Sequence, residues 1–504
     1  MEQKLAIIDL GSNSVRMIVM QVFSNGSYKM VDHLKEMVRL SEGMGEDNIL
    51  KNNAIERTVH VLKLYKRVLD IHNVDVTYAL ATAAVRNAEN KDMFLNKVFK
   101  ETGLNFEVIS GEKEAYYDYL GVINTLDVDN CLLLDTGGGS SEIVHIVNRK
   151  PVKRISIPWG AVNLYERFCV QDDWNEEKVK SLEDFLKKEL DRIDWLKGLK
   201  ELPIVGLGGS IRALAKMYKK KEKINFEGLH NLEISSDELL VLFERLRKSS
   251  VDERREMGGI GKDRADIIIS GMLPLRILAE ITKSNKLIVS GNGLREGVFF
   301  MHYLKSRNEG EYISDILTAS IDNILKNYDC NNEHCHLVEK LSLQMFDQLR
   351  DVHKMPESAR KLLSTAALLH DIGTYVDYYN HHQHGFYLTL NSRLYGISNR
   401  EIVMCAYLVA MHRDEDFKRD YREFTGLIKK SDYELVKKLS VFIKIAEELD
   451  RTEIGVVQGI KLDIESTQVK MTLITTKTAE FEKNVAMKSA KTFEKAFSKR
   501  LTIK

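Results

Sequence analysis

Proline is nearly missing from this chain, with five in 504 residues, about a fifth of ordinary usage. Pro-rich linkers are therefore excluded, and domain boundaries must be read from changes of pattern. No apolar run approaches the roughly 18 residues that a spanning helix needs. The N-terminus opens on a charged tetrapeptide and enters an apolar strand at once. Signal peptide and membrane span are thus not expected, and a cytoplasmic protein is. The five cysteines (131, 169, 330, 335 and 405) have no paired spacing, which argues against a disulfide framework and fits a reducing compartment. Net charge is also absent, with Lys plus Arg and Asp plus Glu at 74 each. A polyanion could be held only by local clustering of cations, and nucleic acid is not expected as a partner.

What the chain does have is alternation. Up to about residue 124, short apolar strands alternate with helical stretches at 53–72 and 90–102. From about residue 127 a similar order restarts, with strands at 132–134, 142–147 and 204–206. This predicts α/β layers with partly parallel sheets. Near residue 305 the pattern changes. From 315 to about 455 apolar residues recur at three- and four-residue intervals, as in Leu337, Leu341, Met345 and Phe346, which predicts helices. A second shift near 457 brings strands at 460–464 and 469–474 and a helix at 479–497. The expected divisions are 1–125 and 126–307 (α/β), 308–456 (helical) and 457–504 (a small α/β tail).

Two segments carry the chemistry. Ile7-Ile8-Asp9-Leu10 runs into Gly11-Ser12-Asn13-Ser14, and Leu132-Leu133-Leu134-Asp135-Thr136 runs into Gly137-Gly138-Gly139-Ser140-Ser141-Glu142. Each reads as a buried strand turning tightly into a hairpin. Glycine brings backbone N–H groups close to a phosphate, hydroxyl and amide side chains add donors, and the Asp can help hold a divalent cation. A third turn, Gly208-Gly209-Ser210, leads from a strand into a helix whose N-terminus can face an anion. Any one of these turns could be purely structural, and Asp135 could simply cap its turn.

Three such loops in this order resemble the phosphate loops of the fold shared by actin, sugar kinases and heat-shock ATPases. Ala81-Thr82-Ala83-Ala84-Val85-Arg86, Ile109-Ser110-Gly111-Glu112-Lys113-Glu114, the Asp135–Glu142 segment and Ile157-Pro158-Trp159-Gly160 narrow the resemblance to the exopolyphosphatase and guanosine pentaphosphate phosphohydrolase family. That resemblance implies two actin-like, ribonuclease H-like domains facing a cleft. It implies Mg²⁺-dependent, processive release of phosphate from polyphosphate or guanosine pentaphosphate, in a homodimer. Glu114 matches the family's general base and Arg86 its phosphate-contacting arginine. Asp135, Glu142 and Asp9 match its acidic positions, where three carboxylates beside a phosphate require a cation. A non-catalytic sensor or an actin-like kinase remains open on this fold.

Two further features stand apart. Arg212, Lys216, Lys219, Lys220, Lys221, Lys223, Arg254, Arg255, Lys262, Arg264 and Arg276 accumulate between 212 and 276, either as a solvated face or as the lining of a polyanion channel. In the helical region His336, His370-Asp371, His381-His382-Gln383-His384, His412 and Asp450 resemble the metal-dependent HD phosphohydrolase pattern. The implied second, transition-metal site comprises His336, His370, Asp371, His382, His384, His412 and Asp450. His334 and Cys335 beside His336 offer softer options.

Overall fold

A computed structural model of the chain describes residues 2–45, 47–169, 174–262, 264–413 and 417–504. Its contacts group into two units, one of residues 1–223 and 227–316 and one of 317–504 with 224–226.

The first unit holds two sheets. In one, β1 (Gln3–Leu10), β2 (Ser14–Val22) and β3 (Tyr28–Met37) form an antiparallel meander, and β4 (Val76–Ala81) and β5 (Glu107–Val108) add in parallel, giving the order β3-β2-β1-β4-β5. In the other, β6 (Cys131–Thr136), β7 (Ser141–Val147) and β8 (Lys150–Ile157) repeat the meander. There β9 (Ile204–Gly208) runs parallel to β6 and β11 (Lys286–Val289) parallel to β9. The edge strand β10 (Leu232–Ser235) pairs antiparallel with β11, so the order is β10-β11-β9-β6-β7-β8. The second sheet is thus the first with one strand added, which is the duplication expected from the sequence.

β1 and β6 read as continuous apolar runs because both their faces are covered. One core joins the two sheets, where Ile7, Ile18, Leu133, Val144 and Val205 pack with Tyr117, Leu120, Val298 and Phe299 of the helices Gly111–Ile123 and Leu294–Ser306. The outer face of the first sheet is closed by the helices Asn52–His72 and Lys91–Thr102. Both sheets therefore present their hairpin loops from a rigid base.

The second unit is helical, built on Asn332–Gln348, Ser358–Leu369, His381–Asn391, Asn399–Met411 and Lys430–Leu449. β12 (Val457–Ile464), β13 (Gln468–Thr475) and β14 (Arg500–Ile503) form a small sheet. This tail does not close a core of its own. Val457, Met471, Phe493 and Leu501 belong to one cluster with Phe346, Leu363, Ala406 and Phe442, and the Phe497 ring stacks on Phe442 at 5.0 Å. No helix among the described residues is long and apolar enough to cross a membrane.

Candidate active site

The three glycine turns of the first unit converge on one cavity of about 90 Å³. Asp9, Gly11, Ser12, Asn13 and Ser14 line it from the first sheet, with Glu114 beside them. Asp135, Gly137, Gly138, Gly139, Ser140, Gly208 and Gly209 line it from the second. The approach between loops is tight, since a Cβ on Gly139 would stand 2.8 Å from the Ser12 hydroxyl. Gly208, at φ +94°, lets β9 enter the helix Gly209–Lys221 where a Cβ would meet the Thr136 carbonyl at 2.7 Å. Only glycine takes that conformation without strain.

Glu114 is delivered by the first turn of the helix Gly111–Ile123. Ser110 caps that helix, its hydroxyl accepting from Lys113 N at 3.2 Å, and acidic residues in the first turn suit the positive end of the helix dipole. Arg86 Nη1 donates to Glu114 Oε2 and to the Ile109 carbonyl, both at 3.0 Å. Burial nevertheless outweighs Arg86, and with Asp9 and Asp135 nearby it pushes the Glu114 carboxyl up to about 7. Arg86 thus holds Glu114 and the Ile109 carbonyl; it does not line the cavity.

Asp9, Asp135 and Glu142 are all raised, in each case first by burial. Glu142 accepts from the Ser156 hydroxyl at 2.8 Å and lies behind the cavity wall. Asp135 Oδ1 is buried with no hydrogen-bond partner among the described residues. Ser141 turns away, donating to the Trp159 carbonyl at 2.8 Å. Ser210 is buried beside Arg264 rather than on the cavity wall.

Two residues that the motifs did not single out complete the site. Asp9 pairs with Arg16 across the first hairpin as Asp135 pairs with Glu142 across the second, so the duplicated position carries an arginine in one half and a glutamate in the other. The equal spacing of the two pairs was the available signal. Asp118, one helical turn after Glu114, is buried with both oxygens unpartnered among the described residues. Burial, together with Asp135, Glu142, Glu114 and Asp9, raises it well above the usual range. Nothing in a lone Asp following two tyrosines marks it from sequence.

A second cavity of about 330 Å³ adjoins the first and shares Arg16, Gly209 and Arg264 with it. Lys35, Arg212, Lys216 and Arg295 line it, and among the described residues no acidic side chain does. The basic run therefore divides. Arg212, Lys216 and Arg264 face this groove, whereas Arg254 is buried against the Ser249 and Ala265 carbonyls. Arg255 pairs with Asp252 and Arg276 with Glu183.

The helical unit gathers His334, His370, Asp371, His381 and His412. Asp450 stands behind them, with Oδ2 2.8 Å from His334 Nδ1. Four expected ligands are not in this cluster: Asp450, which stands behind His334, and three histidines. His336 is exposed and faces Glu339 at 3.5 Å, because residues two apart on a helix point in different directions. His334 takes its place on the buried face. His382 and His384 are likewise replaced by His381, which is 2% exposed.

Duplicated sheets that turn phosphate-type loops into one acidic, glycine-lined cavity define an actin-like phosphoryl-handling protein. Residues 18–306 match the Ppx/GppA phosphatase family and residues 316–491 match Ppx/GppA phosphatase domain III. The chain is 28% identical over 444 residues to a guanosine-5'-triphosphate,3'-diphosphate pyrophosphatase of Pseudoalteromonas atlantica, covering 85% of this chain and 84% of that one. The Aquifex aeolicus member of the Ppx/GppA family, at 34% identity, is covered to 99% by 61% of this chain with a TM-score of 0.53. An exopolyphosphatase of Cytophaga hutchinsonii, at 23% identity, shares the fold over 62% of this chain and 100% of its own with a TM-score of 0.56. The chain belongs to the Ppx/GppA phosphatase family. It is accordingly a hydrolase of phosphoanhydride bonds.

Proposed function

We propose that the protein releases orthophosphate processively from the end of inorganic polyphosphate, in a Mg²⁺-dependent reaction at the cavity between the two sheets of the first unit. The observation that carries this reading is Glu114, a carboxyl with its pKa near 7 on the wall shared with three glycine turns. A base so tuned is half-ionised at neutral pH and can take a proton from water. In that step the water oxygen bonds to the terminal phosphorus, the bridging P–O bond breaks, and the proton passes to Glu114. The backbone N–H groups of Gly138 and Gly139 and the Ser12 and Asn13 side chains hold the transferred oxygens, while the Gly137 N–H closes the hairpin on the Ser140 carbonyl at 2.9 Å. Arg86 is a positioning residue, fixing the Glu114 carboxylate by the bond already described. The basic groove with Arg212, Lys216 and Arg264 takes the remainder of a polyanion.

The donor set suits Mg²⁺. Asp9 and Asp135 would hold it with Glu142 behind them, and the unpartnered Asp135 Oδ1 is an acceptor without a donor. Among the described residues of this unit, three carboxylates do not come within 4.8 Å of one another, which fits an ion that keeps waters and substrate oxygens in its shell. Bound there, it would neutralise charge on the phosphate oxygens.

A second reading, cleavage of guanosine pentaphosphate to tetraphosphate, is favoured by the likeness to the Pseudoalteromonas atlantica pyrophosphatase. The chemistry is the same. Offering long-chain polyphosphate and guanosine pentaphosphate side by side with Mg²⁺ separates them. Absence of phosphate release from both would overturn the hydrolytic reading.

We infer that the helical unit is an HD-type domain whose His-Asp cluster binds a transition metal. Histidine nitrogens with one carboxylate suit first-row ions better than Mg²⁺.

A further inference from the structure

The first two phosphate loops are each bonded to a neighbouring segment of their own half. In the first half that segment follows β3. The Val38 and Arg39 N–H groups donate to the Asn13 carbonyl at 3.1 and 2.9 Å, and the Ser41 N–H donates to the Ser12 carbonyl at 3.0 Å. Arg57 fixes the segment further, donating to the Val38 carbonyl at 3.1 Å and to the Glu42 carboxylate at 2.7 Å. In the second half the segment is the helix Ala161–Phe168. Its Ala161 and Val162 N–H groups donate to the Gly137 and Gly138 carbonyls, both at 2.9 Å, and the Asn163 amide donates to the Gly139 carbonyl at 3.1 Å. Each loop is therefore tied to its segment, and a shift of one carries the other.

The two segments are joined across the cleft. The Gly43 N–H donates to the carboxylate of Glu166, which stands on the helix Ala161–Phe168. Glu42 opposes that contact, but is itself paired with Arg57. A second contact places Arg39 Nη2 3.7 Å from Asp266 Oδ2. Asp266 is fixed in the second half, where its Oδ1 accepts from the Ile267 N–H at 3.0 Å and its carbonyl from Trp174 Nε1 at 3.4 Å. Ser270, just beyond, donates to the Ala161 carbonyl at 2.7 Å. The bonds thus run from Ser12 and Asn13 through 38–43 to Glu166 and Asp266, and back to Gly137–Gly139. Between those ends the loops nearly touch, since a Cβ on Gly138 would stand 2.9 Å from the Ser12 Cβ.

We propose that Arg39, Glu166 and Asp266 are positioning residues, a clasp that sets the spacing of the two phosphate loops and through it the rate of phosphoryl transfer. The proposal rests on the reading that these loops hold the transferred phosphate. Donors displaced by about 1 Å lose much of their effect on a transition state. The Arg39 and Asp266 side chains are 44% and 20% exposed, and exposed ion pairs are weak. A weak clasp reopens readily, as a cavity of about 90 Å³ requires if a polyanion end is to enter and orthophosphate to leave.

The test uses the full chain, comparing the unaltered clasp with Arg39→Ala and Glu166→Ala combined. Spin labels on Ile71→Cys and Asp194→Cys, exposed positions on the two halves, report their separation by pulsed electron paramagnetic resonance. Cys330→Ser removes the half-buried native thiol, and the other four cysteines are buried. The expected result is a longer, broader distance in the double variant. Its kcat for phosphate release with Mg²⁺ should fall about three- to tenfold, with KM for long-chain polyphosphate, set by the basic groove, unchanged. Arg39→Lys with Glu166→Gln keeps a cation and an acceptor and should restore both readings. Should the double variant fail to fold, Asp266→Asn, which keeps the bond from Ile267 N–H and loses the charge, carries the same measurement. An unchanged distance overturns the clasp whatever the activity. A longer distance at an unchanged rate overturns its part in phosphoryl transfer. No phosphate release by the unaltered protein overturns the hydrolytic reading instead, and the distances still decide the clasp.

Discussion

Glu114 concentrates the account at the scale of a single residue, because burial and the surrounding carboxylates hold its proton to about pH 7 against the pull of Arg86. Phosphate release should therefore fall about tenfold per pH unit below that value, since only the ionised form is a base. Steady-state rates at saturating Mg²⁺ between pH 5 and 9 check this. Replacing Arg86 with Gln should move the acid limb to higher pH, because the first opposing charge is removed. An unchanged limb would mean that another group controls the rate. Asp9, Asp135 and the glycine turns were legible in the sequence because strand, acid and glycine are contiguous there. Arg16 was not, because its meaning comes from its partner across the hairpin. His336 was chosen over His334, and His382 and His384 over His381, because the spacing of histidines does not say which face of a helix is buried.

At the scale of the element, the site depends on how strands end. Gly208→Ala puts a Cβ against the Thr136 carbonyl at a φ that other residues avoid, and should cost about 1–3 kcal/mol. Thermal unfolding measures it, and a cost near zero would show that the loop can rearrange. Ser110→Ala removes the cap of the helix that carries Glu114 and should cost about 0.5–2 kcal/mol, with a lower rate at unchanged substrate affinity. Strand and helix positions in the first 300 residues followed the sequence closely, as at Asn52–His72 and Val76–Ala81, where apolar period and boundary residues agree. The tail was harder to read. The stretch 479–497, read as one helix, is two, Glu480–Ala486 and Ala490–Phe497. Its burial against Phe442 is a long-range contact that local pattern does not encode.

For the molecule as a whole, the buried acids of the first unit are a cost that function retains. Asp9, Glu114, Asp118, Asp135 and Glu142 all have raised pKa values. The folded state therefore binds protons more tightly than the unfolded chain. The stability these five groups contribute is fully present below the unfolded values, about pH 4, and is lost as pH rises toward 7 and beyond. Glu114 alone accounts for at most about 3 kcal/mol of that loss. Without metal, Glu114→Gln should thus unfold at a higher temperature than the unaltered protein at pH 8, with the difference fading toward pH 5. Added Mg²⁺ should narrow the gap. The same variant gives the most direct test of the central claim. Release of orthophosphate from long-chain polyphosphate, measured with Mg²⁺ on folded Glu114→Gln, should fall by about 10²–10⁴. Release at the rate of the unaltered protein would contradict the assignment of this cavity as the place where the anhydride bond is broken.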